Sequence, residues 1–557
     1  MTIRKTAVNL LKKTGTLGYA RKVRTRLTAR PPVRIQPRHD PTPPMQPFPE
    51  ARYLFAVGAI PRLYAGRTAS IFAKTKLFYE LAGVKSEILT MNFSGELDDI
   101  IQAARDRGAL SEGVSVVNLH DYFSQQAEFQ GQPITYPIEE PGMDAVRDPD
   151  QEVYRYFENG VYRLYKRFDG VGRLIIRDYF NDNRGRVRRD EFYPSGVVRR
   201  STFFDLHHNK PRQEVYYRAD GSAYMNQWLV LEGDPLTPRV ERITLFDPDG
   251  KPSEVLTSPI DLIHLYLDRV IGTDHVFLTV ESRRADPEVL SYQRPNVKQL
   301  YVLHNPHIVP PFNNPKRIRP SYKQLLESSR TVGSVVFLTD AQRADAEAKY
   351  GGRDNFAVIP HAARRATLDP SITRDPNLVV MLARLDPQKR LVDAIYAFAQ
   401  VVQQLPEAHL EIYGHGPDKA SLEELIRKLR LENSVALRGY TNNPSRVYQS
   451  AAMSLLTSAF EGFGLVILES LSHGCPVISY DLKYGPSDII SDGVNGFLVP
   501  NGDVGALARQ VIAVLTDATL RQRLSVTAPS AVEGFTPEVF MARWSAEFNR
   551  LDAQGWQ

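Results

Sequence analysis

Residues 453–469 read MSLLTSAFEGFGLVILE, and this stretch decides the fold. MSLLTS is an apolar run of strand length, EGFG is a glycine-bearing turn, and the residues after it open a helix. A strand that passes through such a turn into a helix is the repeating unit of a parallel sheet covered by helices. The alternation extends outward on both sides. Upstream lie the strands LVVMLARL (378–385), HLEIYG (409–414) and SVALRGY (434–440); downstream lie VISYD (477–481) and GFLVP (496–500). Helices fall between them, as at 417–430 and 503–515.

An earlier series has the same rhythm. RYLFAVG (52–58) is a strand and TASIFAKTKLFYELAG (68–83) an amphipathic helix stopped by Gly83. EILTMNF (87–93) and VSVVNLHDYF (114–123) continue as strands around a helix near 96–107. The alternation resumes at DLIHLYLDRVIG (261–272), with strands HVFLTVE (275–281), QLYVLH (299–304), SVVFLT (334–339) and NFAVIP (355–360). In between, from about 151 to 256, no helical period appears. Aromatic and β-branched runs end instead at Gly170, Gly185, Gly196, Gly221 and Gly250, the pattern of an antiparallel meander.

The predicted fold class is therefore α/β: two doubly wound, Rossmann-like domains facing a cleft, with an antiparallel β-meander inserted in the first. The divisions are a basic tail and proline-rich linker (1–50), an N-terminal domain in two pieces (51–125 and 257–370), the insert (126–256), a C-terminal domain (371–535) and a final helix (536–557).

Composition bounds the classes of function. The 557 residues suffice for about three domains. A content of 42% hydrophobic and 24% charged residues excludes a disordered or collagen-like chain. No run approaches the ~18 apolar residues of a membrane span, and the N-terminus lacks the apolar segment of a signal peptide. The single cysteine, Cys475, permits no internal disulfide and fits a reducing, cytoplasmic compartment. The net charge of +5 is uneven. Residues 1–39 hold 11 Lys/Arg and no acid, which leaves 58 basic against 64 acidic residues, a net of −6, over the rest. Such a tail suits peripheral contact with an anionic membrane, at about 1 kcal/mol per basic residue, or an anionic polymer; a solvated extension explains it equally. Residues 161–200 hold 11 Lys/Arg against 5 Asp/Glu, which favours an anionic partner unless the charges merely alternate on a wet face. No nucleic-acid-binding module is recognisable.

Two segments carry the candidate chemistry. In the opening stretch, Glu461 and Glu469 are eight residues apart, about 12 Å if two helical turns separate them. A helix N-terminus with unpaired N–H groups is a seat for oxygen-rich ligands, and a carboxylate can accept from vicinal hydroxyls. In ARLDPQKR (383–390), Arg384 and Lys389 follow the first strand of the C-terminal domain. A guanidinium fork and an ammonium there can carry a leaving diphosphate without a metal. No acidic triad or Cys/His spacing suggests a metal site. Gly66 precedes a helix and His304 ends a strand facing the cleft. His120 has only its strand-end position in its favour, and Cys475 reads as packing.

The motifs ARLDPQKR, YGHGP (413–417), RGY (438–440), EGFGLVILE, HGCPVIS (473–479) and DGVNGFLVP (492–500) resemble, in order, the C-terminal half of a glycosyltransferase family 4 enzyme of the GT-B fold. DLKYGPSDII (481–490), VLHNPHI (302–308) and the β insert narrow the likeness to the wall teichoic acid poly(glycerol-phosphate) and poly(ribitol-phosphate) α-glycosyltransferases, over about residues 50–540. The resemblance implies a retaining transfer of glucose or N-acetylglucosamine from a UDP-sugar, with no cofactor, to a hydroxyl of an anionic polyol-phosphate polymer. It implies that Arg384 and Lys389 hold the diphosphate, Glu469 the ribose, and Glu461 with the backbone of Phe463 and Gly464 the sugar. Gly414, Gly416 and Tyr440 would frame the uracil, and His304 would lie near the reacting sugar. The stretch GAIPRLYAGRTAS departs from the double-glycine loop of many relatives; the helix-opening Gly66 could bring its backbone to the donor phosphate or acceptor, or be a plain turn glycine. A homo-oligomer, such as a trimer, is implied through the insert. A protein O-glycosyltransferase of the adhesin-modifying type and a non-catalytic GT-B glycan-binding protein are the competing readings.

Overall fold

The computed structural model describes residues 41–62, 66–124 and 129–556; the basic tail of residues 1–39, and with it the predicted membrane contact, lies outside the described residues. The first sheet is built from β1 (Arg52–Val57), β2 (Ser86–Thr90), β3 (Val114–Asn118), β14 (Val276–Val280), β15 (Val297–Leu303), β16 (Ser334–Phe337) and β17 (Phe356–Val358). All pairings are parallel, in the order β17-β16-β15-β14-β1-β2-β3. The chain lays strands outward on one side of β1, then returns to lay the rest on the other, so its topological switch falls between β1 and β14. Strands covered by helices on both faces need continuous apolar runs, and all five residues of β14 are buried.

The third sheet in chain order repeats the design with β18 (Asp375–Leu382), β19 (His409–Tyr413), β20 (Val435–Gly439), β21 (Ala451–Leu456), β22 (Val477–Asp481) and β23 (Gly496–Pro500). Its order is β20-β19-β18-β21-β22-β23, with the switch between β18 and β21. The fold is GT-B, two Rossmann-like units with a separate sheet from the insert.

Between them in sequence, β4 (Asp144–Arg147) through β13 (Pro252–Leu256) form a ten-stranded antiparallel meander in sequential order. One hairpin recurs five times in it. The N–H of a first residue donates to the carbonyl four residues on, and the N–H of the fourth donates back to the first, at Asp169, Asn181, Tyr193, Arg218 and Asp247. This is a type I turn followed by a left-handed residue, which displaces the register by one. The left-handed position holds Gly172, Arg184, Gly196, Gly221 and Gly250, so the first two turns pivot two residues after Gly170 and one before Gly185. The insert's positive charge is largely spent internally. Arg186 and Arg189 pair with Asp178, Arg188 with Asp190, Arg200 with Glu191, Lys166 with Glu140, and Arg199 with Asp121 of the N-terminal domain.

Five helices matter for the site: α1 (Arg67–Ala82), α2 (Leu119–Ser124), α3 (Asp340–Tyr350), α4 (Leu465–Ser472) and α5 (Pro537–Asp552). As expected, α1 ends at Gly83, left-handed with φ 66°, whose N–H closes on Tyr79. It is not simply amphipathic, because Thr68, Ser70, Lys74 and Thr75 are buried along with its apolar residues. The reason is α5, which crosses back over the N-terminal domain and covers the helix's other side. Thr536 caps α5, Pro537 starts it, and Phe540, Trp544 and Phe548 pack on Phe78 of α1. The third strand also differs from expectation. It stops at Asn118, whose side chain accepts from the backbone N–H groups of His120 and Asp121 and so starts α2 where the sequence reads as continued strand. Among the described residues no helix is long and apolar enough to cross a membrane.

Candidate active site

Loops beyond the carboxyl ends of strands at a switch point form the natural ligand crevice of a doubly wound sheet. In the C-terminal domain those are the loops after β18 and β21. Asp386 accepts from the Gln388 N–H and pairs with Arg384 at 2.8 Å, which orders the first loop. The two loops are then stitched together: Gln388 donates to the Phe460 carbonyl, the Ala459 N–H to the Gln388 carbonyl and the Thr457 hydroxyl to the Lys389 carbonyl. The result sets Lys389 Nζ 2.6 Å from Glu461 Oε1, which also accepts from Ser458 at 2.6 Å. Arg384 is exposed beside them.

Helix α4 begins one residue after Gly464, whose φ of 93° keeps Glu461–Gly464 out of the helix. Glu469 therefore stands about one turn inside α4, not the two turns assumed from the sequence. Solvent reaches it, yet protein surrounds it on most sides. That loss of water raises its carboxyl pKa, with the Tyr448 hydroxyl opposing the rise.

The facing switch point holds a buried network that sequence reasoning missed except for His304. Glu281, directly after β14, accepts from Lys74 Nζ at 2.6 Å on one oxygen and from His304 Nε2 at 2.5 Å on the other. Lys74 comes from α1, and its ammonium lies 4.4 Å from the ring centre of Trp544 in α5. Against a large desolvation effect, the Lys74 ammonium and the hydrogen bond from His304 hold the Glu281 carboxyl well below the usual range. Burial lowers the His304 pKa, opposed by Glu281. His361 stacks on His304 at 5.7 Å and meets the Phe463 ring edge-on at 5.4 Å; burial pushes it down to about 3. The available signal for Glu281 was one acid ending an otherwise apolar strand at the cleft edge.

The two switch points touch. A Cβ on Gly462 would stand 1.9 Å from the His304 carbonyl oxygen, so the EGFG turn lies against the backbone of the opposite domain, and only glycine allows it. Gly485 supports that turn from behind, where a Cβ would meet the Phe463 oxygen at 1.6 Å. Asp345 of α3 completes the junction by accepting from Lys483 at 2.7 Å and from the Tyr484 hydroxyl at 2.6 Å.

The predicted site residues thus fall into groups. Arg384, Lys389, Glu461, Phe463, Gly464 and Glu469 line the C-terminal side, and His304 faces them. Gly414 and Gly416 serve first to let the Ala383 and Leu385 carbonyls approach, since a Cβ at either would lie 1.9 and 2.3 Å from those oxygens. Tyr440 is 65% exposed and stands at 5.9 Å from the His415 ring. Gly66, with φ 55°, precedes α1, whose first residue Arg67 donates to Ser282 Oγ at 3.3 Å. His120 is a satisfied core residue, with Nδ1 3.1 Å from the Tyr224 hydroxyl. Cys475 is fully buried. No group of three His, Cys, Asp or Glu suited to a metal occurs among the described residues. A surface hollow of about 1060 Å³ lies at the opposite end of the first sheet, beside Arg52 and Ser86, away from both switch points.

Two facing Rossmann-like units with charged loops at apposed switch points make up the GT-B fold, and its similarities to known proteins mark the chain as a glycosyltransferase. Residues 367–530 match the family of glycosyl transferases group 1. The chain is similar to the poly(glycerol-phosphate) α-glucosyltransferase of Bacillus subtilis, at 28% identity over 90% of this chain and 76% of that one. It is also similar to the poly(ribitol-phosphate) α-N-acetylglucosaminyltransferase of Staphylococcus aureus, at 25% identity over 87% and 97%. Among solved structures, a mutant of S. aureus TarM in complex with fondaparinux, α-GlcNAc-glycerol and UDP superposes with a TM-score of 0.78 at 23% identity, covering 90% of this chain and all of that one.

Proposed function

We propose that the protein is a retaining glycosyltransferase that moves glucose or N-acetylglucosamine from a UDP-sugar onto a hydroxyl of a polyol-phosphate polymer of the teichoic acid type. The observation that carries this reading is the meeting of the switch points, where the Lys389–Glu461 pair lies across the EGFG turn from His304. In this reading Arg384 and Lys389 take the diphosphate, Glu469 accepts from the ribose hydroxyls, and Glu461 with the Phe463 and Gly464 backbone orients the sugar. Gly414, Gly416 and Tyr440 border the base. The anomeric C–O bond breaks toward UDP, and cationic charge stabilises the electrons that leave with it. The acceptor oxygen bonds to the same face of the sugar, and its proton passes to the departing diphosphate. Two cations at the leaving group make a metal unnecessary in this scheme.

An anionic acceptor is supported by the opposite lip. Arg67, Arg283 and Arg284 lie close together there, and among the described residues neither Arg67 nor Arg284 has an ion-pair partner. We place the reaction in the cytoplasm, with the tail at the inner membrane face. Assembly of a homo-oligomer through the insert would use edges such as β4, whose four residues are all exposed; a purely monomeric species in light scattering would refute it. The test of the function is UDP release from UDP-glucose and UDP-N-acetylglucosamine, in EDTA, with and without poly(glycerol phosphate) or poly(ribitol phosphate). Polymer-stimulated release from one donor is expected. Release indifferent to polymer would move the acceptor to a protein or another glycan.

A further inference from the structure

The sealed network behind His304 has more cationic groups than its single carboxylate needs. Lys74 is 3% exposed and Glu281 is 0% exposed, and both Glu281 oxygens are engaged, one by the ammonium and one by the imidazole. A carboxylate accepts only, so the imidazole nitrogen that meets Glu281 carries the hydrogen. The other nitrogen, Nδ1, has no hydrogen-bond partner among the described residues and is not closed off from the cleft. A buried anion requires one counter-charge. An isolated ammonium holds its proton about four pH units beyond an imidazole, and the aromatic face of Trp544 favours the charged ammonium at this place.

We infer that Lys74 is the fixed counter-cation of Glu281, and that Glu281 thereby holds His304 as the neutral imidazole with hydrogen on Nε2, presenting Nδ1 to the cleft as a hydrogen-bond acceptor. Lys74 and Glu281 are positioning residues; His304 is the group that meets the reactants. The charged or titratable groups around the ring are Glu281 and Arg283 after β14, Lys74 from α1 and His361 after β17, while the C-terminal domain brings the backbone of Gly462. Of these, Glu281 alone favours an imidazolium, and Lys74 neutralises it. The arrangement gives the last helix of the chain a part in the site, since Trp544 of α5 is the floor beneath Lys74. This inference deepens the proposed function, on which it rests for the meaning of an acceptor at Nδ1.

Nitrogen-15 NMR of histidine-labelled protein tests it without any turnover, with the His304 signal assigned by His304→Gln. In the wild type, His304 should show the neutral Nε2–H pattern at pH 7. In Lys74→Met the carboxylate loses its ammonium and His304 becomes the counter-cation, so its titration should move upward by about 1–3 pH units. The acid limb of kcat should move with it. Lys74→Met combined with Glu281→Gln removes both charges and should return the titration to the wild-type range. An imidazolium or Nδ1–H tautomer in the wild type, or an unmoved titration in Lys74→Met, overturns the inference. Should Lys74→Met not fold, Glu281→Gln serves in its place: the Nε2–H tautomer should lose its dominance, and its persistence overturns the inference. Expected spectra without polymer-stimulated transfer would leave this inference standing and remove the proposed acceptor.

Discussion

The C-terminal switch point leaves its charges partly open to the cleft, whereas the N-terminal one seals them inside. Lys389 and Glu461 are 15% and 11% exposed, with Arg384 open beside them; Lys74 and Glu281 are 3% and 0% exposed. A partly buried pair that still opens to a cleft can exchange its partner for a ligand's charge, which a sealed pair cannot do. A sealed pair cannot lose one member without leaving a bare charge, at about 3–5 kcal/mol. The first arrangement suits groups that must transfer their attention to a ligand's phosphates. The second suits groups that fix the state of a neighbour. Substitutions on the two sides should accordingly differ in kind.

The largest effect is expected at Lys389. Lys389→Ala removes a charge that matters most as the leaving group departs, so kcat should fall by about 10²–10³-fold while the melting temperature moves little. A melt lowered along with activity would place Lys389 with the sealed kind. The hinge of the comparison is Gly462, which belongs to one side and touches the other. Gly462→Ala puts a methyl where only 1.9 Å is free, and a displacement of about 1 Å between reacting groups costs about 10²-fold in rate. A variant within twofold of wild type would show that the two sides work without contact.

Glu469→Gln should act on donor binding, raising KM about tenfold, the equivalent of about 1.4 kcal/mol, with kcat nearly unchanged. The sign of its pH dependence is fixed. Because partial desolvation by the surrounding protein raises the Glu469 pKa, the carboxylate needed for ribose is lost at higher pH than an ordinary glutamate would lose it. Wild-type KM should therefore rise as pH falls, and the Gln variant should lack that rise. A KM profile identical in both proteins would remove Glu469 from the donor site.

The same division explains what could be read from the chain. Strand–turn–helix order placed the sheets, and the C-terminal motifs were legible because each is contiguous: Glu461, Phe463 and Gly464 sit within four residues, and Arg384 and Lys389 within six. The N-terminal network draws Lys74, Glu281, His304 and Trp544 from four distant segments, and no local pattern joins them. The helix of Lys74 looked amphipathic because nothing nearby in sequence announces that α5 returns to cover it. Likewise, VSVVNLHDYF reads as one strand because a side-chain cap from Asn118 outweighs the propensity of the residues after it.

The smallest effect on activity, and the sharpest use of the comparison, concerns His120. Like His304 it follows a strand of the first sheet, is mostly buried and meets a polar partner, here the Tyr224 hydroxyl. No carboxylate is bonded to it, and burial with Arg199 and Arg200 nearby pushes its pKa down to about 3. It is neutral at any assay pH, so His120→Gln should keep kcat and KM within about twofold. Its signature lies in stability instead. Below about pH 6.5 the unfolded chain protonates this histidine while the folded one does not, so stability is full above that pH and falls as the medium is acidified toward 3. The slope from one such group is about 1.4 kcal/mol per pH unit. Denaturant melts of His120→Gln between pH 6.5 and 4.5 should show a decline shallower than wild type by about that amount. An unchanged slope would mean that His120 is protonated in the folded state. Loss of activity at constant stability would give this histidine a place in the chemistry that its surroundings do not provide.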